Sequence, residues 1–212
     1  MSTAEIYDAV LAFDDEQVPE LIKAELENGV DVHVILNEGL VAALDEVGRR
    51  FSEGTLFVPE MLLAADAMEA GLNILRPLLT ETGAKPVGTV VLGTVKGDLH
   101  DIGKNLVAMM LEGAGFRVID LGTDVNPEEF IAAAQEHEAD IIAMSGLLTT
   151  CMPEMQATVQ AISQAGRTRN VNVKVMVGGP PINQEFANAI GADGYGMDAP
   201  AAVAQARTLI KA

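Results

Sequence analysis

Two polar residues and a glycine near the middle of the chain have the types and spacing of a metal-binding loop. Asp98, His100 and Gly103 lie within residues 95–104, VKGDLHDIGK. Histidine is the commonest metal ligand in proteins, and a carboxylate such as Asp98 usually holds its second ring nitrogen. A glycine leaves room where something bulky lies against the backbone. The pattern predicts that His100 binds a metal, with the alternative that it only caps the following helix.

The residues on either side of this loop predict a strand before it and a helix after it. An apolar run, residues 87–92, precedes the loop, and an amphipathic run, residues 104–112, follows it. In an open α/β sheet, ligands bind outside the carboxyl ends of the strands. We therefore expect the loop to lie at a ligand-binding edge.

The C-terminal part of the chain alternates between strand and helix patterns. The apolar segments are short and are separated by amphipathic ones, which is typical of a doubly wound, five-stranded parallel sheet. We expect the flavodoxin-like strand order 2-1-3-4-5. The predicted strands are Val87–Leu92, Arg117–Leu121, Ile141–Ser145, Val173–Val177 and Gly194–Gly196, and the predicted helices are Lys104–Glu112, Pro127–Glu136, Pro153–Gln164, Asn183–Ala189 and Ala199–Lys211.

The N-terminal part of the chain shows helical patterns only. Apolar residues recur every three or four positions over residues 36–51 and again over residues 61–75. Asp14 suits the cap of a second helix, and Pro59 suits the start of a fourth. The spacing predicts a four-helix bundle cap over residues 1–86, a linker at Leu79–Pro86, and an α/β domain over residues 87–212.

Composition excludes several classes of protein. The net charge of −18 argues against nucleic acid and anionic membranes as partners. The one cysteine, Cys151, excludes an internal disulfide framework and fits a reducing compartment. The sequence shows no signal peptide or membrane span, so we expect a cytoplasmic protein. We expect His33 and His137, both among acidic residues in predicted helices, to lie at the surface.

The other loops at the same edge of the predicted sheet are rich in small and hydroxyl residues. They are residues 122–124 (GTD), 145–150 (SGLLTT) and 178–181 (GGPP). Backbone N–H groups and helix starts in such loops can hold a phosphate, so a generic nucleotide-binding domain is one interpretation. Neither G-x-G-x-x-G nor a P-loop is present.

The loop motifs together resemble the signature of cobalamin-binding proteins. The matching motifs are DxHxxG at 98–103, SxL at 145–147 and GG at 178–179. Residues 47–61, with the pattern VGxxFxxGxxxxPxM, resemble the helical cap that precedes that domain. The chain is similar to the cobalamin module of cobalamin-dependent methionine synthase. It is similar above all to the small corrinoid proteins of methylamine, methanol and O-demethylase methyltransferase systems.

The resemblance implies a cobalamin site of the base-off, His-on kind. His100 would be the lower axial ligand of cobalt, and Asp98 would hold the other imidazole nitrogen, so that both act in catalysis. The benzimidazole tail would enter a slot beside the sheet, and the helical cap would shield the upper corrin face. The implied cofactor contacts are Gly97, Asp98, His100, Ile102, Gly103, Ser145, Leu147, Thr149, Gly178, Gly179 and Ala199 in the sheet domain, and Phe51, Val58 and Met61 in the cap.

The implied activity is that of a methyl carrier rather than a complete enzyme. The corrinoid, methylcobalamin or a related cofactor, would receive a methyl group through a substrate-specific corrinoid methyltransferase. A second methyltransferase would pass it to tetrahydrofolate or a thiol, and a reductive activase would restore the cobalt. The alternatives are a cobalamin-dependent sensor, a mutase subunit and the nucleotide-binding domain. The methyl donor stays open among methylamines, quaternary amines, methanol and aryl methyl ethers.

One position departs from the methionine synthase pattern. A serine there completes the His–Asp proton relay, and Cys151 stands at that position here. A thiol is a weaker hydrogen-bond donor than a hydroxyl. The relay therefore either ends at Asp98 and water or uses another group.

Overall fold

The structure is a computed structural model that describes residues 3–81, 86–169 and 173–211. The chain divides into two compact units. The helical unit comprises Met1–Lys85 with Gly113–Gly115, and the sheet unit comprises Pro86–Glu112 with Phe116–Ala212.

The described residues of the helical unit form four helical segments. Helix α1 spans Thr3–Leu11 and α2 spans Gln17–Glu27. The third segment begins as α3 (Val32–Val34) and continues through a π-helical stretch, Ile35–Val41, into α4 (Ala42–Ser52). The last helix, α5, spans Val58–Glu81. The predicted four-helix bundle is confirmed, with longer helices than the pattern indicated.

The π-helical stretch changes which residues face the core. The Ala42 N–H donates to the carbonyl of Asn37, five residues earlier, instead of the usual four. Ile35 and Leu40 are therefore fully buried, whereas Leu36 is only partly buried. The prediction of a regular α-helical stripe from Leu36 is wrong in this stretch, because a π-turn takes up one extra residue and rotates the following face.

The ends of α2 and α5 show which local signals determine the helices. The Gln17 N–H donates to Asp14 Oδ1 at 2.9 Å, so Asp14 holds the start of α2 as predicted. Helix α5 begins one residue before Pro59 and continues through Pro77 to Glu81. The linker predicted from Leu79 begins too early, because Pro77 removes one N–H donor without ending the helix. The rest of that predicted linker up to residue 85 lies outside the described residues.

The core of α5 matches its predicted stripe. Its residues at helical spacing are all buried: Met61, Ala65, Met68, Leu72 and Leu75. At 24 residues, α5 is the longest helix in the described part of the chain. Neither this helix nor any other described one is apolar enough over sufficient length to cross a membrane.

The sheet unit is a five-stranded parallel sheet in the order β2-β1-β3-β4-β5. This confirms the predicted doubly wound architecture and flavodoxin-like order. The strands are β1 (Thr89–Thr94), β2 (Arg117–Asp120), β3 (Ile141–Ser145), β4 (Lys174–Gly178) and β5 (Gly194–Gly196). The flanking helices are α6 (Ile102–Gly113), α7 (Pro127–Glu136), α8 (Met152–Arg169), α9 (Gln184–Ile190) and α10 (Ala199–Lys211), and a 3₁₀ turn (Thr149–Cys151) precedes α8.

Strand β1 lies two residues further along the chain than predicted. Gly93 suggested the end of the strand, yet it remains paired with Met144 of β3. A Cβ at Gly93 would lie 2.9 Å from the Phe130 ring, so this glycine serves close packing rather than a turn. The shift makes Thr94 the last residue of β1 and brings it to the edge of the sheet before the 95–104 loop.

Candidate functional site

Three of the loops named from the sequence leave neighbouring strands at one edge of the sheet. Thr94 of β1 pairs with Ser145 of β3, and Ser145 pairs with Gly178 of β4. The loops after these residues therefore begin side by side. This register brings the DxHxxG, SxL and GG motifs to the same edge, as the sequence predicted.

A buried carboxylate holds the histidine of the first loop. Asp98 is 0% exposed, and its Oδ1 accepts hydrogen bonds from the His100 N–H at 3.0 Å and from His100 Nδ1 at 2.6 Å. The His100 side chain is 53% exposed. With the proton of a neutral imidazole on Nδ1, Nε2 is left with its lone pair. The pair thus presents a ligand nitrogen from a rigidly held ring.

The second oxygen of Asp98 joins this loop to the loop after β3. Asp98 Oδ2 accepts a hydrogen bond from the Leu147 N–H at 2.5 Å. Burial raises the pKa of Asp98, but the hydrogen bonds from Leu147, His100 and Cys151 outweigh it and lower the pKa to about 2. The carboxylate is therefore ionised at neutral pH and accepts hydrogen bonds only.

Cys151 lies beside the same carboxylate. The thiol is 1% exposed; its Sγ is 3.6 Å from Asp98 Oδ2 and 2.8 Å from the Leu148 carbonyl oxygen, so its one proton can be donated to either oxygen. Burial raises the thiol pKa, and the negative charge of Asp98 raises it further. A neutral, buried thiol is inert as a nucleophile. Cys151 thus lies beside Asp98, and the group that completes the relay stays a prediction.

Sequence reasoning missed a second contact to His100. The Thr94 hydroxyl donates to the His100 carbonyl at 2.9 Å, and Thr94 is 0% exposed. The only sequence signal was a threonine among apolar strand residues, which by itself also suits an ordinary strand.

A buried lysine directly after Gly103 was also missed. Lys104 is 2% exposed, and its Nζ donates to Asp120 Oδ2 and to Asn105 Oδ1. Asp120 ends β2 and Lys104 lies in the first turn of α6, so the ion pair ties that turn to the sheet. A lysine in a helical pattern normally indicates solvent exposure, and only the fold shows otherwise.

The glycines predicted to contact a cofactor fall into two groups. A Cβ at Gly179 would lie 2.0 Å from the Gly146 carbonyl oxygen, and one at Gly178 would lie 2.8 Å from the Gly196 carbonyl oxygen. These two glycines are required by the chain's own close backbone approach. At Gly103, by contrast, a Cβ would meet nothing within 4 Å, and the backbone is not left-handed. Nothing in the described protein explains why Gly103 lacks a side chain.

Exposed apolar side chains flank the histidine. Large hydrophobic residues are usually buried, and single exposures are common, but several close to one loop indicate a contact surface. Leu99 is 75% exposed and Ile102 is 70% exposed, on either side of His100 in the chain. The other exposed apolar residues in the loops that follow β3 and β5 are Leu147, Leu148 and Met197.

The remaining predicted site residues differ in exposure. In the sheet unit, Ser145 is partly buried, Thr149 is exposed and Ala199 is buried. In the helical unit, Val58 is exposed, Phe51 is partly buried and Met61 is 1% exposed. Contacts of these residues with a cofactor stay predictions.

The donor set fits a metal that is held in a large, flat macrocycle. His100 offers one imidazole nitrogen, Gly103 leaves open space in the next turn, and Leu99 and Ile102 offer apolar contact. Among the described residues, no group of three or more His, Cys, Asp or Glu side chains is placed to hold a metal ion. A corrinoid would bind the single nitrogen, occupy the open space and contact the apolar side chains of Leu99 and Ile102.

Comparison with known families decides the identity. Residues 88–204 match the family model described as "B12 binding domain", and residues 3–76 match a second model with the same description. The chain belongs to the B12-binding corrinoid proteins. Its cofactor is a corrinoid, as the loop motifs predicted.

Similar proteins cover nearly the whole corrinoid protein. It is 41% identical to "Trimethylamine corrinoid protein 1" of Methanosarcina mazei over 209 residues, which is 98% of this chain and 96% of that protein. It is 43% identical to "Dimethylamine corrinoid protein 1" of Methanosarcina acetivorans over 204 residues, 96% of this chain and 91% of that protein. The crystal structure of the methanol:cobalamin methyltransferase complex MtaBC from Methanosarcina barkeri superimposes with a TM-score of 0.80 at 31% identity, covering 97% of this chain and 78% of that chain.

Proposed function

We propose that this corrinoid protein carries a methyl group on cobalt between two methyltransferases, with His100 as the lower axial ligand. The observation that carries the proposal is the buried Asp98 carboxylate, which fixes Nδ1 of a half-exposed His100 beside the open space at Gly103. A bound corrinoid would supply the cobalt that accepts and releases the methyl group.

The Asp98–His100 pair gives the protein a way to support both ligand states of the metal. When His100 is a ligand, the hydrogen bond from Nδ1–H to Asp98 makes Nε2 a stronger donor. When His100 is released, the hydrogen bond from Nδ1 to Asp98 Oδ1 can still hold the ring in place. The buried position of Asp98 keeps water from competing for the same hydrogen bond.

The relatives favour a methylated amine as the source of the methyl group. Two proteins that this chain matches over almost its full length are named for trimethylamine and dimethylamine, at 41% and 43% identity. We propose that a substrate-specific amine methyltransferase loads the cobalt. A second methyltransferase then removes the methyl group, to tetrahydrofolate or a thiol, and a reductive activase restores the active cobalt state. No observation favours the sensor alternative.

The assignment to methylated amines can be tested with the reconstituted protein. The protein is loaded with cobalamin, reduced, and mixed with an amine:corrinoid methyltransferase and with tri-, di- or monomethylamine in turn. We expect one amine to convert the reduced spectrum to that of the methylated cofactor. Methylation only with methanol or an aryl methyl ether and its cognate enzyme would overturn the amine assignment. Failure to accept a methyl group even from iodomethane would overturn the carrier function.

Replacing Gly103 with alanine should weaken cofactor binding without destabilising the fold. The added methyl group meets no protein atom, and alanine favours a helix over glycine by about 0.5–1 kcal/mol. We expect unchanged or slightly higher thermal stability of the apo protein, but weaker corrinoid binding by spectroscopic titration.

Gly179→Ala provides the matched control for this prediction. Its Cβ would overlap the Gly146 carbonyl, and its φ of +125° disfavours any side chain, so the apo protein should be destabilised. Equal corrinoid affinity of Gly103→Ala and the wild type would show that the open space at Gly103 is not used by the cofactor.

We also propose that the two units have different roles, the sheet unit in binding the corrinoid and the helical unit in protecting the methyl group. The residues that hold His100 all lie in the sheet unit, whereas Phe51, Val58 and Met61 of the helical unit would shield the upper corrin face. A truncated chain beginning at Pro86 should bind corrinoid but lose the methyl group faster under light or oxidants, as measured by the decay of the methylated spectrum. A folded truncated chain that binds no corrinoid, or one that protects the methyl group as well as the full chain, would contradict this division.

A further inference from the structure

The carbonyl of His100 is bound to the central part of the sheet rather than to its own loop. It accepts a hydrogen bond from the hydroxyl of Thr94, the last residue of β1, at 2.9 Å. Thr94 is also bonded on both sides, because its N–H donates to the Gly122 carbonyl in the loop after β2 and Ser145 pairs with it in β3. The hydroxyl is therefore attached to a well-anchored backbone.

The hydrogen bonds of His100 divide into two sets with different origins. The N–H and Nδ1 both bond to Asp98 Oδ1, two residues away in the same loop. These two bonds set the orientation of the ring relative to Asp98. The bond from Thr94 sets where the His100 backbone lies relative to the sheet.

The environment of Thr94 makes its hydroxyl matter. Thr94 is 0% exposed, so the hydroxyl has given up water and is satisfied by the His100 carbonyl. A buried donor or acceptor that loses its partner destabilises the protein. A valine at position 94 would remove the donor of the His100 carbonyl but, having the same shape as threonine, would leave no cavity. The rest of the loop would stay in place, because Asp98 remains bonded to Leu147 and its carbonyl remains bonded to the Asp124 N–H at 3.0 Å.

We propose that Thr94 is a positioning residue that sets how far the His100 imidazole reaches from the sheet, and so favours the ligated state of the histidine over the released state. This inference rests on the proposed ligand role of His100. Asp98 determines which ring nitrogen faces the metal. Thr94 determines how far that nitrogen lies from the sheet. Because the Thr94 hydroxyl bonds to the carbonyl of His100, its effect on the histidine passes through the backbone of His100.

The experiment compares Thr94→Val and Thr94→Ala, which both remove the hydroxyl, with Thr94→Ser, which keeps it. Each variant is loaded with cobalamin and reduced to the cob(II)alamin form. Electron paramagnetic resonance then measures the fraction of cobalt with nitrogen coupling from the axial histidine. We expect the ratio of ligated to released histidine to fall roughly threefold to tenfold in the valine and alanine variants, the size expected for one hydrogen bond. The serine variant should remain near the wild type.

A measurement on the apo protein makes the test independent of the cofactor. In ¹⁵N spectra of the apo variants, the His100 Nδ1–H signal should persist, because the bond to Asp98 does not involve Thr94. The His100 and Asp101 amide shifts should move in the valine and alanine variants and return in the serine variant. Should only one of the two hydroxyl-free variants fold, that variant and the serine variant still decide the question.

The outcomes distinguish this inference from the proposed function. Nitrogen coupling in the wild type that stays unchanged in the hydroxyl-free variants would overturn the role of Thr94 alone. An equal loss of coupling in Thr94→Ser would also overturn it, because the serine keeps the hydroxyl. A wild type without nitrogen coupling would overturn both the role of Thr94 and the axial role of His100.

Discussion

A His100→Ala variant is expected to bind corrinoid with a spectrum distinct from that of the wild type, and with lower affinity. The substitution removes the nitrogen that Asp98 orients, so the cofactor would lose the proposed lower axial ligand. Loss of a residue that only supports a metal ligand typically costs about 10–100-fold in affinity or activity, and loss of the ligand itself should cost at least as much. The exposed apolar side chains of Leu99 and Ile102 remain available to the cofactor, so binding should be weakened rather than abolished.

The measurement is a spectroscopic titration of apo protein with cobalamin, followed by the visible spectrum of the complex. His33→Ala is the matched control, because His33 is exposed on the short helix α3 of the helical unit. The control should reproduce both the wild-type spectrum and affinity. A wild-type spectrum in His100→Ala would mean that another group ligates the cobalt.

Asp98→Asn should lower both the stability of the fold and the methyl-transfer activity that depends on the orientation of His100. All the groups that contact the Asp98 carboxylate are donors: the N–H groups of Leu147 and His100, the His100 ring and the Cys151 thiol. An asparagine offers one acceptor oxygen where two are used, so one buried donor loses its partner at a cost of about 1–3 kcal/mol. Methyl-transfer activity should fall about 10–100-fold, as is typical when a partner of a metal ligand changes.

The pH dependence of stability provides a second test of Asp98. The pKa of Asp98 in the folded protein, about 2, lies below the ordinary value of 3.8. Its contribution to stability is therefore fully present above pH 4 and is lost as the pH falls from about 4 to about 2. The shift corresponds to about 2 kcal/mol at neutral pH. Denaturant unfolding of the apo protein between pH 2 and 7 should show this loss in the wild type and lack it in Asp98→Asn.

Asp101→Asn is the control for both measurements on Asp98. It removes the same charge from the same loop, but Asp101 is exposed. Its unfolding should follow the wild-type pH dependence. The spectrum of the cob(II)alamin form should also titrate as in the wild type, whereas that of Asp98→Asn should not. Superimposable titrations and equal methyl-transfer rates in all three proteins would reduce Asp98 to a loop-capping residue.

The amino-acid sequence determined the parts of this protein that depend on local pattern. The alternation of apolar and amphipathic segments predicted the parallel sheet, because apolar residues recur with different periods in strands and in helices. The pairing of Asp98 with His100 could also be predicted, because residues two apart in a loop can form a hydrogen bond that does not depend on distant parts of the fold. The role of Gly103 in cofactor binding stays a prediction, since a Cβ there would meet no atom within 4 Å.

Only the tertiary structure decided the contacts that join distant residues. Cys151 and Leu147 reach Asp98 across about 50 residues of chain, because β1 and β3 are neighbours in register. Thr94 reaches His100 because Gly93 continues the strand against Phe130 instead of ending it. A residue's type shows which hydrogen bonds it can make, but strand register and close backbone approach determine which partner is within reach.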